Sequence, residues 1–417
     1  MPSANSTSCG FDFGTSNSSI GQYKGNAPAL VPIQSGRVSI PTAIFFSFDD
    51  GNAYHGREAI DRYLNRDEGR LMRALKGVLG SSLIHETTMV KRERLRFLDI
   101  IARFIAYVRD AAGGPSSVVM GRPVHFVDDN ETADRDAEDQ LRSAAKLAGF
   151  TNVEFQFEPI AAALDYEHTV TSEQLAFVVD IGGGTSDFSI VRVSPNRRGK
   201  VDRKSDILGY SGIRIGGTDF DKYLELRAVM PLLGLGSKLR HKDMEPPVWW
   251  YHDLATWQRI NVMYDPRVST EIRRVRHEAM EPEKLERLLR IIETRKGHAL
   301  LGAVEQAKIA LSDEEKTSLR LHDLAGLKDT QITRRQLDAA IGASVDRVAE
   351  RLKLTLQKAS VKATEIDAVF LTGGSSKLPL LRAKVRAIFP EASIIEGDAF
   401  GSVATGLTID AYNRFGR

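Results

Sequence analysis

Between residues 8 and 48 the apolar side chains fall in short runs, Cys9–Phe13, Ile20–Tyr23, Ala29–Pro32 and Ala43–Phe48, parted by Gly, Asn and Pro. Runs of that length bounded by turn formers predict strands. From 56 to 110 the spacing lengthens, with Leu95, Leu98, Ile101, Phe104, Ile105 and Val108 on one stripe. The whole stretch reads as helical until Gly113-Gly114-Pro115 stops it. A strand at Ser117–Gly121, a helix over Glu131–Gly149, a strand at Val153–Phe157 and a helix through Ile160–Tyr166 follow. Ala176–Asp180 is a continuous apolar strand ending in an acid, and it forms a hairpin with Phe188–Val193. Residues 219–310 read as largely helical and 317–333 as strand and turn. Residues 334–359 read as a helix buried along Leu337, Ile341, Val345, Val348, Leu352 and Leu356. Ala368–Thr372 is a buried strand, Leu378–Ile388 a helix and Gly401–Asn413 the closing helix. Strands and helices mix throughout, so the class is α/β.

Composition narrows the function. The 417 residues are 42% apolar and 27% charged, an ordinary globular balance. Lys and Arg number 57 against 55 acids, a net charge of +2, which gives no support for nucleic-acid binding. Cys9 is the single cysteine, so no intramolecular disulfide forms, and it reads as a small buried strand residue. The nine histidines show no metal-binding spacing, and no zinc site is expected. Met1–Ser8 lacks a basic and apolar leader, and no apolar run reaches the length of about 20 residues that spans a bilayer. A cytoplasmic monomer without a membrane partner is expected.

Three strand ends repeat one design: Asp12-Phe13-Gly14-Thr15-Ser16-Asn17, Asp180-Ile181-Gly182-Gly183-Gly184-Thr185-Ser186-Asp187, and Thr372-Gly373-Gly374-Ser375-Ser376. In each, a buried strand empties into small residues. Free N–H groups there make an anion-binding nest, to which Thr15, Ser16, Thr185 and Ser375 add hydroxyls. Any one of these alone reads as a hairpin turn; the repetition points to a phosphate chain. Asp12 and Asp180 beside such nests would repel phosphate unless a cation lies between, and magnesium, which prefers oxygen and keeps its water, suits that place. There is no G-x-x-x-x-G-K-[ST] loop, and a strand rather than a helix follows Gly184, which excludes a dinucleotide fingerprint.

These segments resemble the nucleotide-binding domain of the seventy-kilodalton heat-shock chaperones, within the actin and sugar-kinase superfamily. Glu158-Pro159-Ile160-Ala161 resembles the family's connecting helix, Gly216-Gly217-Thr218-Asp219-Phe220-Asp221 its G-G-x-D-F-D element, and Gly373-Gly374-Ser375-Ser376-Lys377 its adenosine motif. The resemblance implies an actin-like, two-lobed ATPase with duplicated ribonuclease H-like sheets and ATP in the cleft. Lobe I would be residues 8–184 plus 398–417, with an inserted subdomain at about 39–114. Lobe II would be 185–397, with a helical insert at about 221–304. It further implies that Asp12 and Asp180 reach magnesium through water, and that Thr15 and Ser16, with Gly14 and Asn17 of their motif, hold phosphate. Thr185 would meet the terminal phosphate, with Gly182, Gly183, Gly184 and Asp187 of its motif, and Glu158 would hold the metal's water or the attacking water. Lys76, in Ala74-Leu75-Lys76-Gly77, resembles the catalytic lysine. Gly216, Gly217, Glu305, Lys308, Ser312, Gly373, Gly374, Ser375 and Lys377 would line the adenosine side, with ATP or ADP and magnesium as cofactors.

Some positions depart from the family. The chain stops after the closing helix, where the long chaperones continue into a peptide-binding domain, and the short stand-alone members are the nearer likeness. Ile309 stands where they have an adenine-stacking arginine, Lys377 stands for an arginine, and Phe400 takes an acid's position with Asp398 close by. Trp249, Trp250, Tyr251, Trp257 and Tyr264 fall in a poorly matching stretch that reads either as a local core or as a partner surface. The implied activity is slow ATP hydrolysis in a chaperone-like switch with a protein client or co-chaperone. A small-molecule kinase and a filament-forming actin are the alternatives on the same fold.

Overall fold

The computed structural model describes residues 8–416 apart from 66, 91–92, 128–129, 168, 201, 241–243, 258, 325 and 397–400; Asp398, Phe400 and the first seven residues therefore lie outside it. The chain divides into two compact units. One comprises Met1–Arg214, Glu350–Ser376 and Arg386–Arg417, the other Ile215–Ala349 and Lys377–Val385.

The first unit is built on two sheets of one topology. In the first sheet the strand order is Asn152–Phe157, Ser117–Arg122, Ser8–Phe13, Asn17–Lys24, Ala27–Leu30, with Ser39–Pro41 also pairing on Asn17–Lys24. In the second it is Ile207–Ile213, Ser186–Val193, Gln174–Ile181, Ala368–Thr372, Ser393–Glu396. In each, the central strand pairs antiparallel with the strand that follows it and parallel with a later one. The apolar runs explain this. Phe177, Val178, Val179 and Ile181 are all buried, as a strand covered on both faces requires. Helices Glu158–Glu167 and Ser402–Phe415 join the sheets in one core, in which Ile160, Ala163, Val403 and Leu407 pack with Val119 of the first sheet and Val178 and Phe370 of the second. A second core sets Phe11, Phe13 and Ile20 with residues of helices Phe97–Ala111 and Glu131–Leu147.

The expected continuous helix over 56–110 is corrected. Helix occupies Gly56–Leu64 and Phe97–Ala111; between them lie strands Gly69–Arg73, Thr87–Val90 and Glu93–Arg96 and two short 3₁₀ turns. Gly69–Arg73 pairs with Ala43–Ser47, a long-range contact that overrides local helical propensity. Glu131–Leu147 ends as expected, with Gly149 at a φ of +101°.

The second unit is mainly helical, carrying Gly217–Ala228, Val248–Leu254, Pro266–Glu278, Pro282–Glu293 and Gly297–Asp313, with a small hairpin of Lys316–Leu319 and Thr330–Thr333. Trp250 and Tyr251 are fully buried, and Trp257 sits edge-on to His298 with ring centres 4.5 Å apart. The Trp-rich stretch is thus chiefly a local core, with Trp249 left 42% exposed. Among the described residues no helix is long and apolar enough to cross a membrane.

Candidate functional site

Because the two sheets are topological copies, Asp12 and Asp180 hold equivalent places, each next to last in its central strand. Asp12 lies opposite Ser19 across its hairpin, and Asp180 opposite Asp187. Both hairpin turns belong to the first unit, and they meet. A Cβ on Gly183 would stand 1.9 Å from the Ser16 hydroxyl oxygen, so any larger residue there would push that hydroxyl aside. The third segment closes on the same place. Gly373 has a φ of +80°, and a Cβ there would lie 2.3 Å from the Ile181 carbonyl oxygen and 2.8 Å from Asp180 Oδ1. The structure therefore brings the three glycine-rich strand ends together.

Lys76 arrives from a 3₁₀ turn, Leu75–Val78, whose preceding residue Ala74 sits in the left-handed region at φ +53°. A non-glycine residue there costs about 1–2 kcal/mol, a strain typical of functional turns. The Lys76 ammonium donates to Glu158 Oε1 at 2.5 Å, with both side chains largely shielded from solvent. Loss of solvent, then repulsion from Glu158, pushes the Asp12 carboxyl up to about 7 against the pull of Lys76. Loss of solvent also drives Asp180 well above the carboxylate range, with Glu158, Asp187 and Asp12 adding to it. Burial alone would lower Lys76, but Glu158, Asp12 and Asp187 outweigh it and raise its pKa. One ammonium thus faces four carboxyl groups, a surplus that favours binding a cation. Among the described residues no three His, Cys, Asp or Glu side chains converge closely enough to ligate an ion directly. Magnesium held through its own water fits this donor set.

Thr185 donates its hydroxyl to Asp187 Oδ2 at 3.1 Å, and the Gly182 N–H closes the turn onto the Thr185 carbonyl at 2.9 Å. Thr42 escaped the sequence reading. Buried on the segment after Ser39–Pro41, it donates its N–H to the Ser16 carbonyl (2.9 Å) and its hydroxyl to the Gly14 carbonyl (2.7 Å), bracing the first nest. Its only sequence signal is a polar residue within an apolar run. Glu158, Asp180, Asp187, Ser189 and Thr372 open on one cavity. Ser375 is buried.

The remaining expected residues belong to the second unit. The Gly216 N–H is capped by Asp219 Oδ2 at 2.9 Å, which fixes the start of helix Gly217–Ala228. Glu305 and Ser312 are half-buried on helix Gly297–Asp313, while Lys308 lies at the buried edge of that helix, 7% exposed. Its ammonium reaches Asp221 Oδ1 at 2.8 Å and the Gly217 carbonyl at 3.1 Å. Ile309, beside it, is 51% exposed, and Lys377 is exposed.

A family model described as Hsp70 protein matches residues 99–229 and 276–412. Chaperone protein HscA of Pectobacterium atrosepticum is 26% identical over 427 residues, covering 96% of this chain and 57% of that protein. HscA of Edwardsiella ictaluri is 29% identical over 75% of this chain and 39% of its own length. Chaperone protein DnaK of Cenarchaeum symbiosum is 25% identical over 96% of this chain and 53% of its own. The chain spans little more than half the length of the Pectobacterium and Cenarchaeum proteins and less of the Edwardsiella one.

Proposed function

Since this chain belongs to the Hsp70 family, we propose that it is an ATP-binding, magnesium-dependent ATPase of low turnover that works as a chaperone-like switch. The observation that carries this reading is the cluster at the copied strand ends, where Asp12 and Asp180 flank the Lys76–Glu158 pair and Ser16 meets Gly183. A magnesium ion, when bound, would offset phosphate charge, with Asp12 and Asp180 holding its water shell.

The chain's own residues would do the rest. Thr15, Ser16 and the N–H groups around Gly14, Asn17 and Gly182–Gly184 bind the phosphates. Thr185 meets the terminal phosphate. Lys76, held in place by Glu158, sets a fixed ammonium where negative charge spreads during phosphoryl transfer. Glu158 is also the acceptor that would orient the attacking water. Gly216, Gly217, Glu305, Lys308, Ser312 and Gly373–Lys377 are assigned to the nucleoside. The proposed lobes, 8–184 with 398–417 and 185–397, would close on nucleotide and open on its release, and a client or co-chaperone would read that motion. The reading includes a cytoplasmic monomer.

Single-turnover hydrolysis tests it. Wild type should form ADP, and Lys76→Ala should abolish the reaction while the protein stays folded. Equal rates for the two would overturn the mechanism.

A further inference from the structure

Helix Gly217–Ala228 buries an acid that the nucleotide reading does not use. Glu225 is fully buried, and among the described residues neither carboxylate oxygen has a hydrogen-bond partner. One turn earlier on the same helix face is Asp221, itself buried and ion-paired at 2.8 Å with Lys308. An ionised carboxylate without partners in such a place is costly, and the ordinary resolution is for the acid to keep its proton. Burial first, and then Asp221, raises its pKa well above the usual range.

Among the described residues the surroundings offer Glu225 no other relief. Helix Gly297–Asp313 contributes Lys308, committed to Asp221 and Gly217, together with Glu305 and His298, whose ring bonds the Trp257 carbonyl. Helix Val248–Leu254 brings Asp253, taken up by Arg259, the Tyr251 hydroxyl, bonded to the Leu233 carbonyl, and His252. The turn Met230–Leu233 has no titratable side chain. Trp250, on the packed helix, also has a buried indole N–H without a partner among the described residues.

We propose that Glu225 is held as the neutral acid, and that its ionisation as pH rises beyond the ordinary carboxylate range loosens the Asp221–Lys308 tie on the Gly217 carbonyl, making the start of this helix pH-sensitive. The sign follows from linkage. A carboxyl with a raised folded-state pKa contributes stability that is complete below its unfolded value. That contribution is lost as pH rises toward the folded one.

The test is thermal unfolding of the full chain from acid to alkaline pH, for wild type and Glu225→Gln, with hydrogen exchange of residues 217–228 in parallel. The unfolding constant of wild type relative to the variant should climb by up to about tenfold per pH unit above the ordinary carboxylate range. Exchange of 217–228 relative to the variant should rise over the same span. Parallel melting curves, or a variant less stable at every pH, would overturn the proposal. Glu225→Leu repeats the measurement without a polar group. If neither variant folds, Glu225 has a partner that a neutral side chain cannot replace, and the proposal falls.

Discussion

The Lys76 ammonium lies 2.5 Å from Glu158 Oε1, although the two residues are 82 positions apart in the chain. The pair does two things at once. It keeps a positive charge in a solvent-poor place, and it fixes that charge relative to the two copied strand ends. Glu158→Gln keeps the shape and removes the tether. Single-turnover hydrolysis should fall by roughly 10²–10³, the usual cost of one misplaced electrostatic group, with nucleotide affinity changed far less. Unchanged hydrolysis would mean that the pair is only structural.

The acid surplus predicts an opposite pair of effects at Asp180. Asp180→Asn removes the repulsion between Asp180 and Asp12, Glu158 and Asp187, so the metal-free protein should melt at the same temperature as wild type or higher. The added stability conferred by ATP with magnesium should be lost in the same variant. Calorimetric melting with and without ligand separates the two.

How much of this was legible beforehand depends on range. The three glycine-rich ends and both strand-end acids stand out because strand, acid and glycine repeat locally. Lys76 is marked only by resemblance, inside a stretch whose pattern reads as helix but which folds largely as strands and turns. The helical stripe is real from Leu98 to Val108, but Leu95 lies in strand Glu93–Arg96, and the pairing of Gly69–Arg73 with Ala43–Ser47 is set by contacts distant in the chain. Lys308 shows the same limit. Spacing puts it near Glu305 and Ser312, while only packing shows that Asp221 and Gly217 hold it. Glu225 carries a faint signal, an acid directly after Leu224 in a helix anchored by Phe220.

Thr42 provides a test of the brace. Thr42→Val keeps the volume and loses the hydroxyl bond to the Gly14 carbonyl. Stability should drop by about 1–2 kcal/mol, the cost of leaving a buried acceptor unpaired. Nucleotide affinity should fall as well, because the first nest loses its support. Chemical denaturation and titration read the two effects; an affinity equal to wild type would confine Thr42 to stability.

His55 sets an acid limit. Its ring stacks on Tyr107 at 4.3 Å, and burial, helped by Arg103, lowers its pKa from 6.5 to about 4. A base with a depressed folded-state pKa contributes stability above its unfolded value and loses it as pH falls toward the folded one. The stability difference between wild type and His55→Phe, which keeps the stacking, should therefore shift against wild type between pH 6.5 and about 4. A difference independent of pH over that range would show that His55 does not titrate there.

The most direct measurement is isothermal titration of the chain with ATP and with ADP, in the presence and absence of magnesium, beside Asp12→Asn and Asp180→Asn. Saturable binding that weakens sharply without magnesium, and in both variants, is the expected result. No binding of either nucleotide, or binding indifferent to magnesium and to both aspartates, would contradict a nucleotide site at the paired strand ends.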